Sequence, residues 1–273
     1  MKTSVIRLCR VLASLAVFPC GCRSRAEPPS AESRALAERM LAGTFEGRGY
    51  AYSLPYRLFV PKGYDPQRPY PLVLYLHGGG ANGSDGIRHL SHDVAMLVSD
   101  EVQSIAPSFV LAPQCPVGDE WVKRRDSVPF SNYVQAKVRE SDASKLIFEG
   151  LDRLRAQYTL DPHRLYVTGY SMGGSGTWDL VTRHPRYFAA AVPVTGVNDP
   201  SRADAIADLP IWAFHGALDD VSPARNSRSM VEALRQRGSP VKYTEFEGVG
   251  HGSAAAAYSN LEMYRWLFSQ RRD

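Results

Sequence analysis

Apolar and polar positions follow two rhythms along this chain. "LVLYLH" (72–77), "FVLAP" (109–113), "RLYVTG" (164–169), "AAAVPV" (189–194) and "IWAFHG" (211–216) are continuous apolar runs. They predict strands buried on both faces, since a strand with one wet face alternates instead. "LPYRLFVP" (54–61), closed by the turn sequence "KGYDPQRPYP", predicts another, and "VKYTEF" (241–246) a weaker, alternating one. Between them, "ASKLIFEGLDRLRAQY" (143–158), "GTWDLVTRH" (176–184) and "ARNSRSMVEALRQRG" (224–238) have helical spacing. So does the final "NLEMYRWLFSQRR" (260–272), and "ALAERMLAG" (35–43) predicts a short helix stopped by its glycine. Strands alternating with helices imply right-handed crossovers, hence an α/β fold with a mostly parallel central sheet and helices on both faces.

In such sheets, ligands bind beyond the carboxyl ends of the strands. Four strand ends here carry suggestive residues: "HGGG" (77–80), "GYSMGG" (169–174), "HGALDD" (215–220) and "GVGHG" (248–252). A serine, an acid and a histidine follow strands in that order, which is the chain order of an α/β-hydrolase. Ser171 between glycines fits a sharp strand-to-helix turn, where side chains at 169 and 173 would collide. A serine hydroxyl is a poor nucleophile at neutral pH and needs a base, for which His251 is the candidate. Asp219 is the candidate partner of the other imidazole nitrogen, holding the tautomer. Asp220 is the neighbouring alternative; Ser222-Pro223, which reads as an N-cap followed by proline at the first helical position, agrees with Asp219.

A developing oxyanion needs donors in place, expected from the backbone N–H of Met172 and of Gly79. His77 is expected to hold the glycine loop by hydrogen bonds rather than act as a second base. Trp121 and Gly80 are candidate pocket residues, and the segment 116–138, with Trp121 and Phe130, is expected over the site. His184 suits a helix C-terminus and His215 a backbone bond, while His89, His92 and His163 lie in predicted loops. No histidine or cysteine pattern has metal-ligand spacing, so no metal is expected. "GGGANG" (78–83) also satisfies the dinucleotide pattern Gly-x-Gly-x-x-Gly, but no second strand ends in an acid: "FVLAPQC" ends in Pro-Gln-Cys.

The 273 residues, 44% hydrophobic and 22% charged, suit one sizeable catalytic domain, expected over 44–273. Residues 1–21 differ from it. Lys2, Arg7 and Arg10 flank an apolar run, 11–18, too short to cross a bilayer, which predicts an export signal. Cys22 after Gly21 is a candidate lipidation site, although Pro19 and Cys20 stand where an aliphatic and a small residue are expected. Residues 22–43 then read as a tether and the short helix. The expectation is an exported protein, periplasmic or envelope-bound or secreted, touching membrane only through a lipid. The formal charge of +4 falls to +1 without the leader's three basic residues, so the basic balance does not indicate nucleic-acid binding. Cys115 is the only cysteine beyond Cys22, which excludes an intradomain disulfide.

Together "YRLFVPKGYD", "YPLVLYLHGGGANGSD", "VLAPQCP", "LYVTGYSMGGSGTWDL", "IWAFHGALDDVSP" and "GVGHG" resemble secreted α/β-hydrolases of the predicted-peptidase, phospholipase/carboxylesterase-like and prolyl-oligopeptidase type. Feruloyl esterases and polyhydroxyalkanoate depolymerases are similar relatives. The resemblance, over about 50–270, implies a nucleophile at Ser171, an acid at Asp219 and a base at His251, with no cofactor. It departs from the pattern after "GH", where "GSAAAAYS" (252–259) replaces a polar residue and a Ser-Trp pair. The expected activity is hydrolysis of a small-molecule or polymer ester through an acyl-enzyme. A peptidase on the same triad is the alternative, though no propeller or acidic pocket for an N-terminus is visible. A non-catalytic binding protein on this fold would be expected to lack a triad member.

Overall fold

A computed structural model describes residues 28–123 and 133–273. The expected export signal, Cys22 and Phe130 lie outside them.

Eight strands form one sheet: β1 Leu41–Phe45, β2 Leu54–Phe59, β3 Tyr70–Leu76, β4 Phe109–Pro113, β5 Leu160–Tyr170, β6 Ala190–Val194, β7 Trp212–Gly216 and β8 Lys242–Phe246. Their order is β1-β2-β4-β3-β5-β6-β7-β8. β1 and β2 run antiparallel, as do β2 and β4, and all other pairs are parallel. The helices are α1 Ala31–Glu38, α2 His92–Leu97, α3 Asp100–Ile105, α4 Asp142–Gln157, α5 Met172–Arg183, α6 Arg225–Arg235, α7 Ala254–Tyr258 and α8 Leu261–Ser269. This is the α/β-hydrolase fold.

The apolar strand runs have the cause that their pattern implies. β3 is buried along its whole length, and its side chains alternate between two cores. Leu72, Leu74 and Leu76 join α4, α5 and α6 through Leu146, Ile147, Leu180 and Val231. Val73 and Tyr75 face the other layer, with Leu36, Val94, Val102, Met263 and Leu267 from α1, α2, α3 and α8. At roughly 2 kcal/mol for each fully buried aliphatic side chain, these two layers dominate the fold's stability.

The helix expected over 35–43 is displaced. Ser30 caps α1 by accepting the Ser33 N–H at 3.0 Å, and the helix closes at Glu38. Residues 41–45 instead pair with β2, Leu41 opposite Leu58 and Phe45 opposite Leu54. The unpaired edge of β2 offers a ladder that helical periodicity alone does not foresee. α2, α3 and α7 are too short for a legible period.

Candidate active site

β5 delivers the chain to Ser171, the candidate nucleophile. Ser171 sits between β5 and α5 at φ 57° and ψ −111°, outside the regions open to L residues without strain. Its N–H donates to the Val194 carbonyl at 3.0 Å, which ties the turn to β6. Close backbone approach explains the following glycines. A Cβ on Gly173 would lie 1.8 Å from the Leu76 carbonyl oxygen, and one on Gly174 would lie 2.1 Å from that of Thr195.

Ser171 Oγ is 2.9 Å from His251 Nε2. His251 Nδ1 is 3.0 Å from Asp219 Oδ1 and 2.9 Å from Oδ2. The carboxylate accepts only, so Nδ1 carries hydrogen and Nε2 is free to accept the serine proton. Asp219 Oδ1 also accepts the N–H groups of Val221 at 3.0 Å and Ser222 at 2.7 Å. Its carboxylate is fully buried, whereas the neighbouring Asp220 is exposed. The proline-led helix start expected at 222–223 does not form: α6 begins at Arg225 with Ala224 as its cap. Ser222 is drawn back to Asp219 instead, so the chain completes that turn before it can enter the helix.

Three residues that the motifs do not identify support the histidine. Tyr170 Oη donates to the His251 carbonyl at 2.7 Å, and the Ser253 N–H donates to the same oxygen at 2.9 Å. Burial, reinforced by the Asp219 charge, pushes the Tyr170 hydroxyl up to about 12, so it remains a donor. Ser253 Oγ lies 3.0 Å from Thr195 Oγ1, both side chains being buried. Thr195 itself holds φ 58°, the second strained non-glycine position among the described residues. The two strained residues are thus linked to the one loop that carries His251. Tyr170 lies within the serine motif and its rank in the sequence is visible, but its bond to residue 251 is not.

The glycine loop approaches Ser171 from β3. Gly79 opens a short 3-10 turn, and a Cβ built on it would be 3.9 Å from Met172 Cβ, so the two expected oxyanion donors are neighbours. Met172 is the first residue of α5, where the backbone N–H has no partner within the helix. His77 acts as the expected loop holder: Nε2 accepts the Cys115 N–H at 2.9 Å, and Nδ1 donates to Gly78 O at 2.7 Å. Burial pushes its ionisation down to about 4, which keeps it neutral. Gln114, fully buried, bridges Ala81 O, Asp85 and the Gly86 N–H in the same loop.

Two expected pocket residues part ways. Gly80 is exposed, with nothing within 4 Å of a Cβ built on it. Trp121 is only 1% exposed, its indole N–H donating to His77 O at 2.9 Å, and it packs below the loop against α5. Its large apolar ring is better buried than wet, so it underlies the site rather than lining a pocket. The end of the expected covering segment is anchored to α5: Tyr133 Oη donates to Asp179 at 2.6 Å, and Gln135 Nε2 reaches Asp179 and Thr182 at 2.8 and 2.7 Å.

Of the remaining histidines, His184 ends α5 and bonds Glu140 at 2.7 Å, and His215 bonds Ser222 O at 2.7 Å. His89, read as a loop residue, is fully buried with Nε2 2.9 Å from Ala112 O, and burial pushes it down to about 3. Among the described residues no three His, Cys, Asp or Glu side chains are gathered to hold a metal ion.

The comparisons agree with this architecture. A crystal structure of a thermostable esterase superposes with a TM-score of 0.80 at 37% identity, covering 87% of this chain and 64% of that one. A ferulic acid esterase structure matches with a TM-score of 0.61 at 16% identity, over 84% of this chain and 98% of that one, a likeness of fold. An uncharacterized secreted protein of Arthroderma benhamiae is 29% identical over 221 residues, 68% of this chain but 22% of that protein. The chain therefore spans about a fifth of that fungal relative and less than two thirds of the esterase. The resemblance narrows to esterase-type α/β-hydrolases rather than to peptidases or polyhydroxyalkanoate depolymerases in particular. The dienelactone hydrolase family profile matches residues 110–264, more than half of the sequence, and the chain belongs to that family.

Proposed function

We propose that the protein hydrolyses carboxylic esters, small or polymeric, through an acyl-enzyme on Ser171, with His251 as base and Asp219 as its partner. The observation that carries this reading is the continuous chain from Ser171 Oγ through His251, at 2.9 Å, to the buried Asp219 carboxylate, at 2.9 Å. Ser171 Oγ attacks the ester carbonyl carbon while His251 Nε2 takes its proton. The charge gathering on the carbonyl oxygen is met by the N–H groups of Gly79 and Met172, one such donor being worth roughly 3 kcal/mol in the transition state. The carbon–oxygen bond to the alcohol then breaks, and His251 returns the proton to the departing oxygen. Water repeats the sequence on the acyl carbon and releases Ser171. No step calls for a cofactor.

Hydrolysis of acetyl, longer-acyl and feruloyl esters, run beside matched anilides, tests the reading. Esters are expected to turn over and anilides to lag. Ser171→Ala should lose turnover and fluorophosphonate labelling together; labelling that persists at another serine defeats the assignment.

The basic and apolar pattern of residues 1–21 supports export, and Cys22 supports a lipid anchor. Intact mass decides between them: a chain beginning at Cys22 with added acyl mass is the expected product. A soluble product cleaved elsewhere leaves export and removes the anchor.

A further inference from the structure

Asp219 answers to two histidines. His251 reaches it from the solvent side, and His215 of β7 reaches it from the interior. His215 Nε2 lies 3.4 Å from Asp219 Oδ2, and neither side chain is exposed. The hydrogen bonds settle the tautomer of His215. Nε2 is 2.7 Å from the Ser222 carbonyl, which can only accept, so Nε2 bears the hydrogen. Nδ1, 2.7 Å from Ser227 Oγ, then accepts the hydroxyl proton of α6. The Ser222 N–H meanwhile donates to Asp219 Oδ1 at 2.7 Å. His215 thus touches both ends of the 219–222 turn, its closing carbonyl and its opening carboxylate.

We propose that His215 is a positioning residue for the triad: its Nε2–H closes the 219–222 turn and turns the positive end of a neutral imidazole toward Asp219 Oδ2. This rests on the reading of Ser171, His251 and Asp219 as the catalytic set. The charged or titratable groups that act on His215 are Asp219, Glu245 of β8 and His251. Glu245 is itself paired with Arg228 of α6. Burial, the largest influence, holds the ring's ionisation below the ordinary histidine range, against the Ser222 bond and the two carboxylates. A neutral ring is what the geometry requires, because a cation there would compete with His251 for the same carboxylate.

The sign of the effect follows. Removing the Nε2–H takes the positive end of the ring dipole, 3.4 Å away, from Asp219 Oδ2, leaves more of the carboxylate's negative charge for His251, and favours the imidazolium. The acidic limb of kcat/KM should therefore move to higher pH. The carboxylate should also lose orientation, lowering kcat with little change in KM.

Two polar substitutions separate positioning from mere filling of space. His215→Gln keeps a donor at the Nε2 position, whereas His215→Asn keeps only the contact with Ser227. With p-nitrophenyl acetate, His215→Asn is expected to lower kcat about tenfold. Its acidic midpoint should rise by about half a pH unit. His215→Gln should return the midpoint to within about 0.2 units of the wild type. An equal midpoint in all three proteins, or the same shift in both variants, overturns the proposal. If His215→Asn does not fold, nitrogen-15 spectra of the wild-type histidines decide: the Nε2–H tautomer at His215 supports the role and the Nδ1–H tautomer refutes it. A wild-type protein without ester turnover or Ser171 labelling would instead remove the triad reading, so the two failures are distinct.

Discussion

Asp219→Asn is expected to abolish catalysis through hydrogen-bond direction rather than through loss of shape. Asp219 Oδ1 accepts two backbone N–H groups, from Val221 at 3.0 Å and Ser222 at 2.7 Å. In the asparagine variant the amide oxygen must stay there, since an NH2 group facing two donors loses both bonds and repels them. The NH2 group therefore takes the place of Oδ2, 2.9 Å from His251 Nδ1. Oδ1, although 3.0 Å from Nδ1, already uses its two lone pairs on the Val221 and Ser222 N–H groups, so the NH2 donor favours an accepting Nδ1 and moves the imidazole hydrogen to Nε2. That nitrogen then points a hydrogen at Ser171 and cannot receive the serine proton. The same inversion in the serine-protease template costs about 10⁴ in kcat, or roughly 5 kcal/mol of barrier. Asp220 is exposed, and Asp220→Asn should alter the rate less than twofold, as surface changes do. Steady-state hydrolysis of p-nitrophenyl acetate by both variants, with thermal melts to show that each is folded, provides the check. A folded Asp219→Asn protein within tenfold of wild type, or Asp220→Asn as the inactive one, would refute the reasoning.

Three further outcomes follow from strain, burial and close approach. Ser171→Gly should be inactive yet more stable by about 1 kcal/mol, because glycine tolerates φ 57° and ψ −111°; an unchanged or lower Tm contradicts the strain. Gly174→Ala should cost about 3 kcal/mol, since its Cβ would sit 2.1 Å from the Thr195 carbonyl behind the His251 loop; a urea midpoint equal to wild type would be inconsistent with that contact. His77 and His89, pushed down to about 4 and about 3 by burial, bind protons more readily when unfolded, with a free value near 6.5. Their stabilising contribution is present above about pH 6.5 and is lost as pH falls toward the folded values, about 2 kcal/mol per ring between pH 7 and pH 5. Urea melts at those two pH values should show the drop, and equal stabilities would exclude it.

The apolar runs at 72–77, 109–113 and 189–194 were enough to locate central strands, because a strand buried on both faces has no polar positions to confuse its period. Glycines around Ser171 were legible for a similar reason: a missing side chain marks a place where backbone approaches backbone. The candidate residues Ser171, Asp219 and His251 could be named from strand ends, since the parallel topology brings those ends to one edge. Tertiary structure decided the rest. β1 takes residues that locally favour helix, because the ladder offered by β2 is made by residues 54–58 and not by its own neighbours in sequence. Trp121 could have lined a cleft or filled a core, and only its bond to His77 O and its contact with α5 choose the core. Ser222-Pro223 carries a local helix-start signal, yet the buried carboxylate of Asp219 captures the Ser222 N–H first. Tyr170 and His215 lie inside the strand-end motifs, yet neither they nor Thr195 and Ser253 show there which partner each one bonds. Their roles arise from pairings across 58, 81 and only 7 or 12 residues, and side-chain hydrogen bonds of that kind have no period for a sequence to display.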